Sequence, residues 1–310
     1  MTRKRSRILC LGGLHWDRVL RCQDKPIPGE SNPVCTTRIP GGVALNVATV
    51  LSGLGCEVGL TSRVGRDDDG RRLLDHLESR DIQPVALGLD SEAATGSYTA
   101  VLDESGELVM GLADMTIYDR LSVEHWQKHQ ARLKPWDAWC VDSNLPGPAL
   151  EHLATLPDSP RLYAVATSPA KVSRLGAVLT RLKTLFLNTR EAAMLTGRDS
   201  AGLDGALQQA QCLRDQGLNQ VLVTVGAEGV AWADCDECGT VTAPHITTGN
   251  VSGAGDALAA AAMATLEQNH SLRTAARWGL SAGIVLAQSD RLQTALSWAS
   301  LEHIVELIDD

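Results

Sequence analysis

Residues 250–256 read Asn-Val-Ser-Gly-Ala-Gly-Asp, and an unbroken apolar run of mostly small residues, 257–264, follows at once. Gly253, Ala254 and Gly255 can bring bare backbone N–H groups close to an anion. The run behind them reads as a buried helix, which puts those N–H groups at its positive end. Asp256 then stands in the first turn, beside the anion site. An anion cradle next to a carboxylate suits phosphoryl transfer to a hydroxyl: the N–H groups hold the phosphate charge and the carboxylate takes the proton. The same letters also fit a plain glycine-rich helix start with an acidic residue at a favoured early position. The surrounding chain has to decide between the two.

Outward from that stretch, short β-rich runs alternate with longer amphipathic ones. Strands are expected at 7–13, 57–64, 138–141, 161–166, 184–187 and 220–225, and helices at 43–54 and 70–79. Such alternation argues for a parallel sheet covered by helices on both faces. Ligands bind such sheets at the carboxyl ends of their strands, where Gly12-Gly13, Asn144, Asn188 and Gly226 fall. Two regions break the pattern. Residues 19–38 are turn-rich, with Pro26, Pro28, Gly29 and Pro33, and residues 95–112 read as two strands around Glu104-Ser105-Gly106. Together they are expected to form a small sheet over the site. The expected architecture is one α/β domain, 1–310, with lid segments at about 19–38 and 95–112.

Bulk properties limit the partners. The chain has 310 residues, 44% hydrophobic and 21% charged, as in an ordinary soluble enzyme. A net charge of −9 argues against nucleic-acid binding, and a polyanion needs local help from helix N-termini, a metal or a few cations. The basic start, Met-Thr-Arg-Lys-Arg-Ser-Arg, is followed by too short an apolar stretch for a signal peptide. No window approaches the roughly 20 apolar residues of a membrane span. Eight scattered cysteines fit buried reduced thiols and a cytoplasmic setting. Cys235 and Cys238 form one CxxC with no second ligand pair nearby, so 234–239 reads as a hairpin tip rather than a zinc site.

Four motifs, in order from residue 41 to residue 256, carry a family resemblance. Gly41-Gly-Val-Ala-Leu-Asn46 and Gly253-Ala-Gly-Asp256 resemble the two signature regions of the ribokinase-like (PfkB) carbohydrate kinases. Asn188-Thr-Arg-Glu191 is similar to that family's N-x-x-E motif, and Thr224-Val-Gly-Ala-Glu-Gly229 to its strand-end loop beside the nucleotide. Within the family the chain most resembles pseudouridine kinases, on Ser31-Asn-Pro33, Leu112-Ala-Asp-Met-Thr-Ile117, Val141-Asp-Ser-Asn144, and Asn250 where most relatives carry Asp.

The resemblance implies a three-layer ribokinase-like sandwich with a mostly parallel central sheet and a small β-sheet lid. It implies ATP and Mg²⁺, and phosphorylation of the 5′-hydroxyl of pseudouridine. Asp256 would be the catalytic base, with Gly253, Ala254 and Gly255 as the anion hole. Asp17 would hold the sugar hydroxyls, beside Gly41, Gly42 and Asn46. Ser97, Asp114, Met115, Asn144 and Lys171, together with Thr95, occupy places that face the nucleoside. Asn188, Thr224, Gly226 and Gly229 would border the nucleotide, and Glu191 with Asn188 would organise Mg²⁺ through water. Asn250 and Ser252 lie where many relatives bind a monovalent cation. Asn in place of Asp removes a charge there and leaves potassium open. In many relatives the lids pair, which implies a homodimer.

Pseudouridine has a ring N–H that uridine lacks, so selecting it needs an acceptor aimed there. Asp114, Asn144 or a backbone carbonyl can supply one. Val165-Ala166-Thr167 stands where such kinases often carry Asp-Pro, so the pocket floor is expected to differ. Other readings are a ribokinase or another sugar or nucleoside kinase, and a nucleoside-binding sensor without turnover. A dinucleotide-dependent oxidoreductase is disfavoured: 253–255 lacks the third glycine and the β-α-β context of that fingerprint.

Overall fold

The computed structural model describes residues 5–244, 252–289 and 296–308. β1 (Arg7–Leu11) leads into β2 (His15–Cys22), β3 (Val34–Gly41), α1 (Val43–Gly53), β4 (Glu57–Thr61), β5 (Arg63–Gly65) and α2 (Asp68–Ser79). Then come β6 (Ile82–Pro84), β7 (Gly88–Asp90), β8 (Ser97–Leu102), β9 (Leu108–Asp114), a 3-10 turn at Thr116–Arg120, and α3 (Val123–Leu133). The middle of the chain supplies β10 (Ala138–Asp142), α4 (Gly147–Thr155), β11 (Arg161–Val165), α5 (Pro169–Val172), β12 (Thr184–Asn188), α6 (Thr189–Thr196) and α7 (Gly202–Asp215). β13 (Val221–Thr224), β14 (Gly229–Ala233), β15 (Cys238–Thr242), α8 (Ala254–Leu266), α9 (Leu272–Gln288) and α10 (Trp298–Leu307) complete it.

Nine strands form one sheet in the order β15-β14-β13-β12-β11-β10-β1-β4-β6, with every neighbouring pair parallel except β13–β14 and β14–β15, so β14 alone runs against the rest. The alternation of side chains explains why its strands are apolar throughout. Ile8 and Cys10 pack into one buried cluster while Leu9 and Leu11 enter another, and β10 repeats this with Ala138 and Cys140 against Trp139 and Val141. Both faces are therefore covered by helices, the condition under which parallel strands lose their polar face. The chain winds from β1 out to β4 and β6, then crosses to β10 and builds the other side. The order reverses between β1 and β10, where a crevice for ligands opens at the strand ends.

A second sheet, β3-β2-β8-β9, stands apart from the first. The expected fold class, a large mostly parallel sheet with helices and a smaller sheet, is the one observed. Two details differ. The single strand expected at 57–64 breaks at Ser62, whose hydroxyl donates to the Gly12 carbonyl at 2.5 Å, and β5 pairs with β7 in a separate two-stranded sheet. After β13 the chain turns back into an antiparallel hairpin instead of a helix. Gly226 provides the left-handed turn, and Gly229 packs where a Cβ would strike the Val241 carbonyl. The tip of that hairpin, 234–237, carries an exposed Cys235.

Helix α8 is buried from Ala257 to Leu266. Its small residues let α9 approach so closely that a Cβ on Gly279 would lie 2.8 Å from the Leu258 carbonyl oxygen. The helix that starts at 254 is thus fixed by backbone-to-backbone packing.

Candidate active site

Asp142 closes β10 and is 1% exposed, the most buried carboxylate at the crevice. Its oxygens accept from the N–H groups of Gly13 at 2.7 Å, Ala44 at 3.2 Å and Asn144 at 2.8 Å. One side chain thereby ties the end of β1, the start of α1 and its own strand end. The Gly12-Gly13 turn leaves the space: a Cβ on Gly12 would occupy the Asp142 carboxylate. Burial pushes this carboxyl above the ordinary range, against the pull of the N–H groups. Asp142 was not among the residues expected in the site. Its signal was its place in Val141-Asp-Ser-Asn144 at a strand end, but its three donors come from segments far apart in sequence.

Gly253 is the N-cap of α8 with φ +77°, a backbone conformation that glycine alone adopts cheaply, and as glycine it supplies no side-chain cap of its own. The first-turn N–H groups of 254–256 are therefore presented at a positive helix end. Asp256 sits in that turn, and the Asn46 Nδ2 on α1 donates to its Oδ2 at 2.8 Å. Asn46, expected to address the sugar, thus spends one donor on Asp256. Burial raises the Asp256 carboxyl to about 7; the Asn46 bond opposes the rise, and the charges of Asp142, Glu191 and Asp17 add to it. Carboxylates from β2, β10 and α6 are thus brought within electrostatic reach of Asp256 on α8.

A cavity of about 240 Å³ joins Asp256, Gly253 and Gly255 to Asn188, Glu191 and Thr224. Val165, Ala166 and Thr167 form part of its wall. Asn188 and Glu191 make a reciprocal capping box at the start of α6: Glu191 N–H donates to Asn188 Oδ1 at 3.0 Å, and Asn188 N–H to Glu191 Oε2 at 2.9 Å. Glu191 is 4% exposed and its carboxyl is raised by burial. Its second oxygen makes no part of the box. Gly226 and Gly229 are not in the cavity wall; they serve the β13–β14 turn. Asn250 lies outside the described residues, and Ser252 is exposed just before α8.

On the other side of the crevice, Asp17 is the third residue of β2, not the end of the first strand. Its carboxylate lies over Gly41, where any Cβ would displace it, and its Oδ1 lies 3.2 Å from His15 Nε2. Gly42 has φ +107° and abuts the Gly13 carbonyl, so both its conformation and its neighbour demand glycine. Ser97 pairs with Trp16 on β2 and with Asp114 on β9, so the small sheet brings 17, 97 and 114 to one end. Asp114 is exposed and accepts from the Thr116 hydroxyl at 3.2 Å; Met115 packs against the core. Asn144 is buried, and its Oδ1 accepts from Lys171 Nζ at 2.7 Å. Burial lowers the Lys171 ammonium and Asp142 pulls it back. Thr95 does not face this space: its hydroxyl donates to Asp67 at 2.6 Å and accepts from Gly65 N–H at 2.9 Å.

Comparison with known proteins identifies the family and the fold. The pfkB family carbohydrate kinase model matches residues 5–299. The chain is 27% identical over 259 residues to a pseudouridine kinase of Escherichia coli, covering 83% of each protein. A carbohydrate kinase from Agrobacterium tumefaciens superposes with a TM-score of 0.88 at 31% identity, covering 98% of both chains. A protein of Escherichia coli described as a ribokinase II, solved with ATP and Mg²⁺, has the same fold, with a TM-score of 0.82 at 15% identity and coverage of 97% and 99%. The chain belongs to the pfkB family of carbohydrate kinases and is an ATP-dependent phosphotransferase.

Proposed function

We propose that this kinase transfers the γ-phosphoryl group of ATP to the 5′-hydroxyl of pseudouridine. The observation that carries the chemistry is Asp256. A carboxylate raised to about 7 and held by Asn46 in the first turn of a helix that starts on glycine can take a hydroxyl proton near neutral pH. The N–H groups of Gly253, Ala254 and Gly255 would receive the charge that develops on the transferring group. Asp17, with Gly41 and Gly42 under it, would bind the sugar hydroxyls.

Mg²⁺ fits the donor set: Glu191 and Asn188 line the cavity, Glu191 keeps an oxygen outside the capping box, and the clustered carboxylates favour a cation. When bound, the ion would neutralise phosphate charge, mostly through water. A monovalent cation would sit at Asn250 and Ser252, where Asn in place of Asp leaves potassium open, and adding K⁺ to the assay tests it.

Pseudouridine as acceptor rests on the similarity to a pseudouridine kinase and on the polar groups at the crevice. With Asn144 Oδ1 taken by Lys171, Asp114 becomes the preferred side-chain acceptor for the extra ring N–H. The small sheet would close over the sugar as a lid within a single kinase domain, and its exposed edge strand β9 would pair with a second copy. Eight free cysteines fit a cytoplasmic setting. ADP release should be measured across pseudouridine, uridine, cytidine, adenosine, inosine, ribose and fructose phosphates. Pseudouridine should exceed uridine and ribose by well over tenfold. Equal rates on ribose would make the protein a ribokinase, and binding without turnover a sensor.

A further inference from the structure

The Tyr118 hydroxyl lies at the point where the small sheet rejoins the core, on the 3-10 turn after β9. It accepts from the Leu14 N–H at 2.8 Å and meets His15 Nδ1 at 3.0 Å. Tyr118 is 1% exposed, His15 is 7% exposed, and Gly96 packs against both. These are the partners of the hydroxyl among the described residues. Leu14 N–H donates into the oxygen, and Nδ1 is the acceptor left for the phenolic hydrogen among the described residues, so the arrangement that satisfies the hydroxyl has O–H donating to Nδ1. The imidazole proton must then be on Nε2, which faces Asp17 Oδ1 at 3.2 Å.

We infer that Tyr118 and His15 are positioning residues for acceptor binding, holding Asp17 Oδ1 from behind so that Oδ2 stays turned toward the sugar hydroxyls over Gly41. The inference rests on the reading of Asp17 as the acceptor-binding carboxylate. Leu14 and His15 lie where the chain leaves the core for the small sheet, and Tyr118 lies where it returns. The relay thus pins both junctions of that sheet to the carboxylate the acceptor must find. A structural tyrosine would need only the Leu14 bond. A positioning tyrosine must also choose the histidine tautomer, which gives the two roles different signatures.

The test pairs long-range ¹H–¹⁵N histidine spectra with steady-state kinetics. His15 is assigned by His15→Gln, and the acceptor is pseudouridine or whichever compound the ADP-release screen turns over fastest. Wild type should show His15 protonated on Nε2 alone. Tyr118→Phe keeps the ring in place, so the fold should survive. It should mix the tautomers, weaken the His15 contact to the Asp17 carboxylate, and so raise the acceptor KM about tenfold, the loss expected when an interaction with a charged group is lost, with ATP KM and kcat within about twofold. A His15 proton on Nδ1 in wild type overturns the relay. So does an unchanged acceptor KM in Tyr118→Phe while Asp17→Asn raises it; the role of Asp17 then stands without the relay. If Asp17→Asn itself leaves the acceptor KM unchanged, the reading of Asp17 fails and the relay fails with it.

Discussion

With Asp256 lifted to about 7 by burial and by neighbouring carboxylates, its ionisation falls inside the physiological range. As a base it acts only when ionised, so kcat/KM should climb with pH to about 7 and level off above, read from a pH–rate profile. Asp256→Asn should lower kcat by about a thousandfold, within the range for general-base loss, and abolish that limb. The same shift has a stability consequence. A carboxyl raised on folding binds its proton more tightly in the folded state, so its contribution is full below about 4 and lost as pH rises through about 7. Asp256→Asn should therefore melt above wild type at pH 8, without nucleotide or Mg²⁺, and the gap should shrink toward pH 4. Glu191 poses the opposite question, since it is both a helix cap and the proposed Mg²⁺ partner. Glu191→Gln can keep the capping box, so urea stability should change by less than about 0.5 kcal/mol. The Mg²⁺ concentration for half-maximal rate should nevertheless rise about tenfold if the charge matters to the ion. A parallel loss of stability and Mg²⁺ response would return Glu191 to a purely structural role.

At the scale of elements, the start of α8 is placed by α9 as much as by its own sequence. Alanine in a helix interior is favoured over glycine by about 1 kcal/mol on propensity alone. At Gly279 a Cβ would lie 2.8 Å from the Leu258 carbonyl oxygen, with Ala262 Cβ at 3.1 Å. Neither neighbour is the free end of a flexible side chain, so overpacking of about 1–3 kcal/mol should win. Gly279→Ala should then lower the urea midpoint, and a rise would show that α8 and α9 slide apart freely. Because Leu258 is one turn from Gly253 and lines the same cavity, the variant should also lose ATP affinity. The hairpin β14–β15 teaches a related lesson. The strand at 220–225 and the hairpin tip at 234–239 are both legible in the sequence; the strand-helix alternation does not give the antiparallel turn directly after β13, which Gly226 and Gly229 set.

For the whole molecule, the small sheet leaves Leu108, Val109, Met110 and Leu112 on β9 between 50% and 60% exposed. An apolar edge strand of this kind invites pairing with another chain. A homodimer through β9 should sediment as such, and Leu108→Glu with Met110→Glu should give monomers with a raised acceptor KM. A wild-type monomer at assay concentration removes the idea. The alternating apolar runs and the four ordered motifs were enough to read the parallel sheet, the smaller sheet and the kinase family, because periodicity and glycine placement are local properties. They placed Asp256 at a helix start and Glu191 at a cap for the same reason. What tertiary structure alone decided is who faces whom: Asp142 gathering N–H groups from three segments, Asn46 turned to Asp256 across 210 positions, Lys171 occupying Asn144, and Tyr118 orienting His15. Each of these depends on strands and helices distant in sequence meeting at the crevice between β1 and β10. No local pattern encodes that meeting; it follows from burying both faces of one sheet at once.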